Sequence, residues 1–224
     1  MKSILFLVMT AGAGVVGAIE PWRTPEVNSL NRLPARSIVI PCQSEEVALN
    51  LAKGIGSKTD STWIQSLNGE WDFRWKRSPW IKEWEKTSKI AVPGCWQLQG
   101  GYDPALYVNV RFPIGFDGSG DPMVEAPEGY TAREYPNPVG LYSCRFKLPW
   151  SWRSRRTVIH FGGVSSAFYL RVNGREVGYS EDSRLPAEFD LTPYLNVFGE
   201  NTVEVEVYKH SDGTYLEWSK RVRP

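Results

Sequence analysis

The chain is 224 residues long, 42% hydrophobic and 23% charged, with a net charge of +1. That length supports one sizeable core rather than two, and the near-zero charge removes the electrostatic reason to expect nucleic acid or an anionic membrane surface as a partner. Ten Trp, ten Tyr and nine Phe suit a β-sheet core and the stacking of flat rings on a neutral glycan.

In chain order, "MKSILFLVMTAGAGVVGA" opens with Lys2, continues through apolar Ile4 to Val8, and ends on the small residues Val16 and Ala18 before Ile19. A basic start, an apolar run and small residues ahead of a cleavage point predict a signal peptide over residues 1–18 and a secreted or periplasmic mature chain. The competing reading is an uncleaved membrane anchor. Gly12, Gly14 and Gly17 interrupt the stretch, and it falls short of the roughly 20 apolar residues of a spanning helix, so no membrane contact is expected after cleavage.

Residues 19–60 lack clean periodicity and carry Pro21, Pro25, Pro34 and Pro41; they read as an N-terminal extension that wraps the main domain. Within it, "SEEVALNLAKGIGS" predicts a helix. Ser44 is placed to cap it, Glu45 and Glu46 suit its positive end, and Gly54 and Gly56 would stop it. Three cysteines, Cys42, Cys95 and Cys144, allow at most one disulfide and imply no disulfide scaffold.

Residues 61–224 read as one β-domain. "GEWDFRW" puts Trp71, Phe73 and Trp75 on one face, "KIAV" stops at Pro93, and "GLYSCRFKL" alternates Tyr142, Cys144, Phe146 and Leu148, with Cys144 read as a buried free thiol. "TVIHF" follows, then "AFYLRVNGREVGY", whose Asn173-Gly174 between alternating runs predicts a type I′ hairpin. "EFDL" and "NTVEVEVY" complete the set, the latter with Val203, Val205 and Val207 inward and Glu204 and Glu206 outward. At least eight short strands suit an all-β fold, a jelly-roll β-sandwich. The segment from Gly115 to Val139 exceeds the usual loop length of about 12–15 residues, so it is either functional or disordered.

The residues alone select no active site. His160 lies in an apolar strand, and His210 adjoins Ser211 and Asp212 in a turn, where sequence neighbours do not make a triad. Glycoside hydrolysis needs two acids about 5–5.5 Å apart for retention, or wider for inversion. Glu125, Glu128, Glu134, Glu181, Asp182 and Glu217 supply acids, but their spacing selects no pair and each reads as surface charge. Metal-ligand spacing such as C-x-x-C is absent. In "LYVNVRFPI", Asn109 interrupts an apolar run, where an amide offers both a donor and an acceptor; ordering a local turn is the competing role.

Set together, "SLNGEWDFRW", "VPGCWQLQGGYDPALYVNVRFPI", "NPVGLYSCRF", "FGGVSSAFYLRVNGREVGYSEDSRLPAEFDLTPYL" and "GENTVEVEVYKHSDGTYLE" resemble, in order and spacing, the N-terminal sugar-binding domain of family 2 β-galactosidases. The resemblance runs from about Leu67 to Glu217. It implies a galactose-binding-domain-like jelly roll that packs against an immunoglobulin-like domain and a barrel carrying both catalytic glutamates, neither of which has a counterpart in these residues. It assigns Asn109, in the matching "YVNV", to hydrogen bonding with galactose hydroxyls. Members of this family use sodium and magnesium. Lys220 stands where a sodium-binding Asp is expected and cannot ligate a cation, so no cofactor is expected in this chain, and the loss of pattern after Glu217 suggests a truncated or frameshifted frame. The implied partners are a β-galactoside or other neutral glycan and the remaining domains of a parent enzyme. Two alternatives stand beside this one. One is a stand-alone carbohydrate-binding module that uses Trp150 and Trp152 in "PWSWRSRR"; the other is a non-catalytic module that docks on a complete relative.

Overall fold

The computed structural model describes residues 20–103 and 137–211. The predicted signal peptide, Asn109, most of the long segment ending at Val139, and the stretch containing Asp212, Glu217 and Lys220 lie outside the described residues. Among the described residues the fold is an all-β sandwich with a single α-helix. Its strands are β1 (Ser29–Leu30), β2 (Gly69–Lys76), β3 (Lys86–Val92), β4 (Val139–Lys147), β5 (Val158–Phe161), β6 (Ala167–Val172), β7 (Arg175–Glu181), β8 (Ala187–Asp190) and β9 (Glu200–Tyr208). Seven form one sheet in the order β1-β7-β6-β9-β4-β2-β3, and β5 with β8 forms the second layer. Every neighbouring pair is antiparallel.

The alternation read from the sequence becomes the inner face of the large sheet. Trp71, Phe73 and Trp75 are buried while Glu70 and Asp72 stay exposed. On β9 the three valines are buried and Glu204 and Glu206 lie on the opposite face. Register then builds rows across the sheet: Phe73 pairs with Tyr142, Tyr142 with Val205, and Val205 with Leu170. The row ends at Gly178, where an added Cβ would stand 2.8 Å from the Phe189 ring. Glycine is required there because the Leu30 carbonyl oxygen of β1 and the Phe189 ring of β8 both lie against its bare backbone. Ile159, Ala187, Phe189 and Leu191 of the second layer join the same core cluster. Burial of each large apolar side chain in it contributes roughly 1.5–3 kcal/mol.

The hairpin forms as expected. Asn173 and Gly174 have φ of 53° and 73°, the left-handed pair that a type I′ turn demands. Between Leu170 and Arg171 the register shifts, leaving Val177 as the extra residue of a bulge that still buries its side chain.

A second cluster, invisible to simple alternation, occupies the outer face. Val139, Ala167, Tyr179 and Tyr208 are buried there beneath Trp22, whose ring stacks on that of Tyr208 at 5.2 Å. The residues after Trp22 then follow the sheet edge. β1 pairs with β7, Asn31 Nδ2 donates to Val177 O at 3.0 Å, and Arg32 donates to Ser180 Oγ at 2.9 Å and to Glu181 O at 3.0 Å. Helix α1 (Glu45–Ala52) is capped by Ser44, whose Oγ accepts from Val47 N at 3.3 Å, but it buries none of its residues. Cys42, Cys95 and Cys144 are free thiols; Cys144 is half-buried against the core, and burial, with the Asp72 charge second, raises its pKa.

Candidate functional site

Three points of the chain meet where β9 runs out of the large sheet. Val139 pairs with Tyr208 as the last rung of the β4–β9 ladder. One step further, Asn137 replaces the ladder with its side chain: Nδ2 donates to His210 O at 2.8 Å and Oδ1 accepts from His210 N at 2.9 Å. Lys209 N donates to Pro138 O at 3.0 Å, and the Lys209 ammonium pairs with the Asp103 carboxylate. The Ser166 and Ser211 hydroxyls stand 2.6 Å apart in the interior. The segment carrying Asn109 leaves at Asp103 and returns at Asn137, and the "SDGTYLE" stretch leaves at Ser211. This cluster therefore fixes the departure points of both stretches on which the resemblance places contributions to a sugar site.

The chemistry of the cluster is that of an anchor. His210 is 7% exposed, and among the described residues its Nδ1 meets no hydrogen-bond partner. Burial, with the Lys209 charge second, lowers its pKa to about 3, so the ring is neutral at pH 7. Ser211 faces Ser166 rather than the imidazole, so the two neighbours do not form a nucleophile and base. His160 differs from its sequence reading: its strand buries Ile159, but the His160 ring is on the open side, with Nδ1 3.1 Å from Glu188 Oε1. Glu188 also receives Arg36 at 2.9 and 3.0 Å, so this group ties the N-terminal segment to β8.

Of the predicted acids, Glu181 and Asp182 are described. Reading Glu181 as surface charge was incorrect, because it is buried at 6% exposure on β7 and accepts a hydrogen bond from the Tyr179 hydroxyl. The Tyr179 hydroxyl gives the buried carboxylate a hydrogen-bond donor. Asp182, at φ 95°, accepts from Arg184 N at 3.1 Å and Leu185 N at 3.2 Å, a turn-forming role. Other carboxylates are held ionised. Lys89 lowers the pKa of Asp72 and Arg77 that of Glu85; for Asp190, bonds from Thr192 and Arg156 outweigh the upward effect of burial. A glycosidase general acid needs the opposite shift.

The aromatic row proposed for Trp150 and Trp152 does not form. Trp152 turns inward and donates Nε1–H to Thr62 O at 3.0 Å, while Trp150 carries the Arg153 guanidinium on its ring. Between the N-terminal segment and the two sheets lies a cleft of about 1410 Å³ whose walls include Trp63, Trp96, Tyr142, Trp152, His160 and Lys209.

Asp103, Asn137 and Lys209, in "GYDPALYVNV", "NPVG" and "VYKHSDG", carry little local signal of their own. An Asn ahead of Pro at the mouth of a long loop was the available signal.

The described residues form an all-β sandwich of two antiparallel layers, with a polar cluster that joins distant chain segments at the end of β9. The chain belongs to glycosyl hydrolase family 2: the family model described as "Glycosyl hydrolases family 2, sugar binding domain" matches residues 64–221. It is 42% identical over 202 residues to a β-galactosidase of Priestia megaterium, covering 86% of this chain and 18% of that protein. It is also 42% identical over 204 residues to a β-galactosidase of Yersinia enterocolitica, covering 88% of this chain and 17% of that one. The chain thus spans less than a fifth of the length of these curated relatives. Among solved structures, a β-D-glucuronidase of Dictyoglomus thermophilum matches 64% of this chain and 19% of its own at 20% identity and a TM-score of 0.39.

Proposed function

We propose that the chain acts as the sugar-binding domain of a β-galactosidase, lending Asn109 to the hydroxyls of a terminal galactose while the acid/base and nucleophile are supplied by residues outside this sequence. The observation that carries this reading is the 42% identity to β-galactosidases across 86% of the chain, together with the intact "YVNV" around Asn109. A positioning group without an acid and a nucleophile lowers no barrier appreciably, so these residues alone are expected to show no turnover. The leader-like residues 1–18 support a secreted or periplasmic site of action. With Lys220 at the expected sodium position, this reading assigns the chain no metal ligand.

Calorimetric titration of the mature chain with a β-galactoside, beside Asn109→Ala, tests it. Binding that falls at least about tenfold on substitution, a loss equivalent to about one good hydrogen-bonded contact, is expected, with no release of chromophore from a nitrophenyl β-galactoside. Turnover by these residues alone, or binding indifferent to Asn109, overturns it.

A further inference from the structure

The motif "PWSWRSRR" takes no part in the cluster described above. Its residues start at the 3-10 turn Trp150–Trp152 that follows β4, fixed by the bond from Trp152 Nε1 to Thr62 O. Trp150 is 74% exposed and Phe198, on the turn before β9, is 78% exposed; their ring centroids lie 6.5 Å apart. The Arg153 guanidinium lies against both rings, 4.6 Å from the centroid of Phe198, and that of Arg155 lies 4.0 Å over Trp63. Arg156 differs, being paired with Asp190 at 2.6 Å. Among the described residues, Arg153 and Arg155 have no carboxylate partner.

We propose that this surface is a second sugar site, selective for glycans bearing carboxylate or sulfate groups. It stands independently of the β-galactosidase reading. An indole held by a cation on one side and open on the other offers a flat apolar plate to the C–H face of a pyranose. The Arg153 guanidinium, with its Nε buried and no carboxylate partner among the described residues, keeps its terminal nitrogens for a planar or tetrahedral oxyanion. One cation beside the plate formed by Trp150 and Phe198 suits a ligand that alternates an apolar sugar face with a single charge. Nucleic acid favours a longer basic stripe, and the balanced composition supplies none.

The test is affinity electrophoresis of the mature chain through gels holding polygalacturonate, a sulfated galactan or a neutral galactan, with Trp150→Ala, Arg153→Gln and Arg155→Gln as variants. Retardation by either acidic glycan over the neutral one is expected, and the pair of acidic gels assigns carboxylate or sulfate. Trp150→Ala should weaken it at least about tenfold and Arg153→Gln similarly, each change removing about one strong contact, whereas Arg155→Gln, over Trp63 in the cleft, should weaken it less. Trp150 and Arg155 are exposed and Arg153 is half-buried, so an unchanged thermal midpoint checks folding. Equal retardation by all three gels or by none overturns the proposal, as does binding to acidic glycans and RNA alike that is indifferent to Trp150.

Discussion

At the scale of single residues, buried polar groups carry the sharpest consequences. His210 is held neutral with its pKa near 3, whereas in the unfolded chain it titrates near 6.5. Below pH 6.5 the unfolded state binds a proton that the folded state refuses. Stability therefore falls with pH from about 6.5 down towards about 3, at up to about 1.4 kcal/mol per pH unit from this group. Urea unfolding of the parent and of His210→Leu at pH 7 and pH 5 checks it: the difference between them should shrink on acidification, and parallel curves would remove His210 as the cause. Asn201 is a second such residue. Its Oδ1 accepts from Asn196 N at 2.7 Å and Asn173 Nδ2 at 2.8 Å, its Nδ2 donates to Asn196 O at 3.0 Å, and it is 0% exposed. Asn201→Ala leaves several buried groups unsatisfied and should cost roughly 2–4 kcal/mol, read as a lower denaturant midpoint at unchanged slope.

At the scale of elements, what was legible in the sequence depended on how many faces an element buries. β2 buries one face, so Trp71, Phe73 and Trp75 announced themselves by alternation. β4 buries Val139 and Leu141 as well as packing Tyr142, Cys144 and Phe146, and the single face read there was half of the truth. The outer cover, Trp22, lies in a stretch whose only signal was proline, because its partners Tyr208 and Tyr179 are distant in sequence. Trp22→Ala should destabilise by roughly 3–5 kcal/mol, measurable by thermal denaturation; a loss under about 1 kcal/mol, the scale of a surface change, would mean that the outer cluster is not part of the folded core. Helix α1 was correctly placed by its cap, yet its hydrophobic residues mislead, since none is buried. Asn50→Pro should lower helical circular dichroism while leaving the unfolding midpoint of the sandwich unmoved, because no core contact goes with it.

At the scale of the whole molecule, the site was less legible than the fold, and the reason is sequence separation. The anchor joins Lys209 to Asp103 across 106 residues and Asn137 to His210 across 73, pairings that no local pattern encodes. The second layer poses the same question energetically. β5 and β8 pair only with each other over four residues, and an isolated two-stranded ribbon is marginal in water. Its side chains, however, enter the core shared with β2, β6 and β9: Ile159 and Phe189 are in the same buried cluster as Phe73, Leu170 and Val205. Opening the small sheet would expose those side chains and strip the Phe189 ring from Gly178, a loss of large apolar contacts at roughly 1.5–3 kcal/mol each. The small sheet is therefore expected to open only with the large one. Native-state hydrogen exchange reads this directly: amides of β8 should share the free energy and denaturant dependence of β9. Those of α1, which contribute nothing to the core, should exchange from far cheaper local openings. Exchange of β8 with the helix rather than with β9 would show that the two layers are separately stable units.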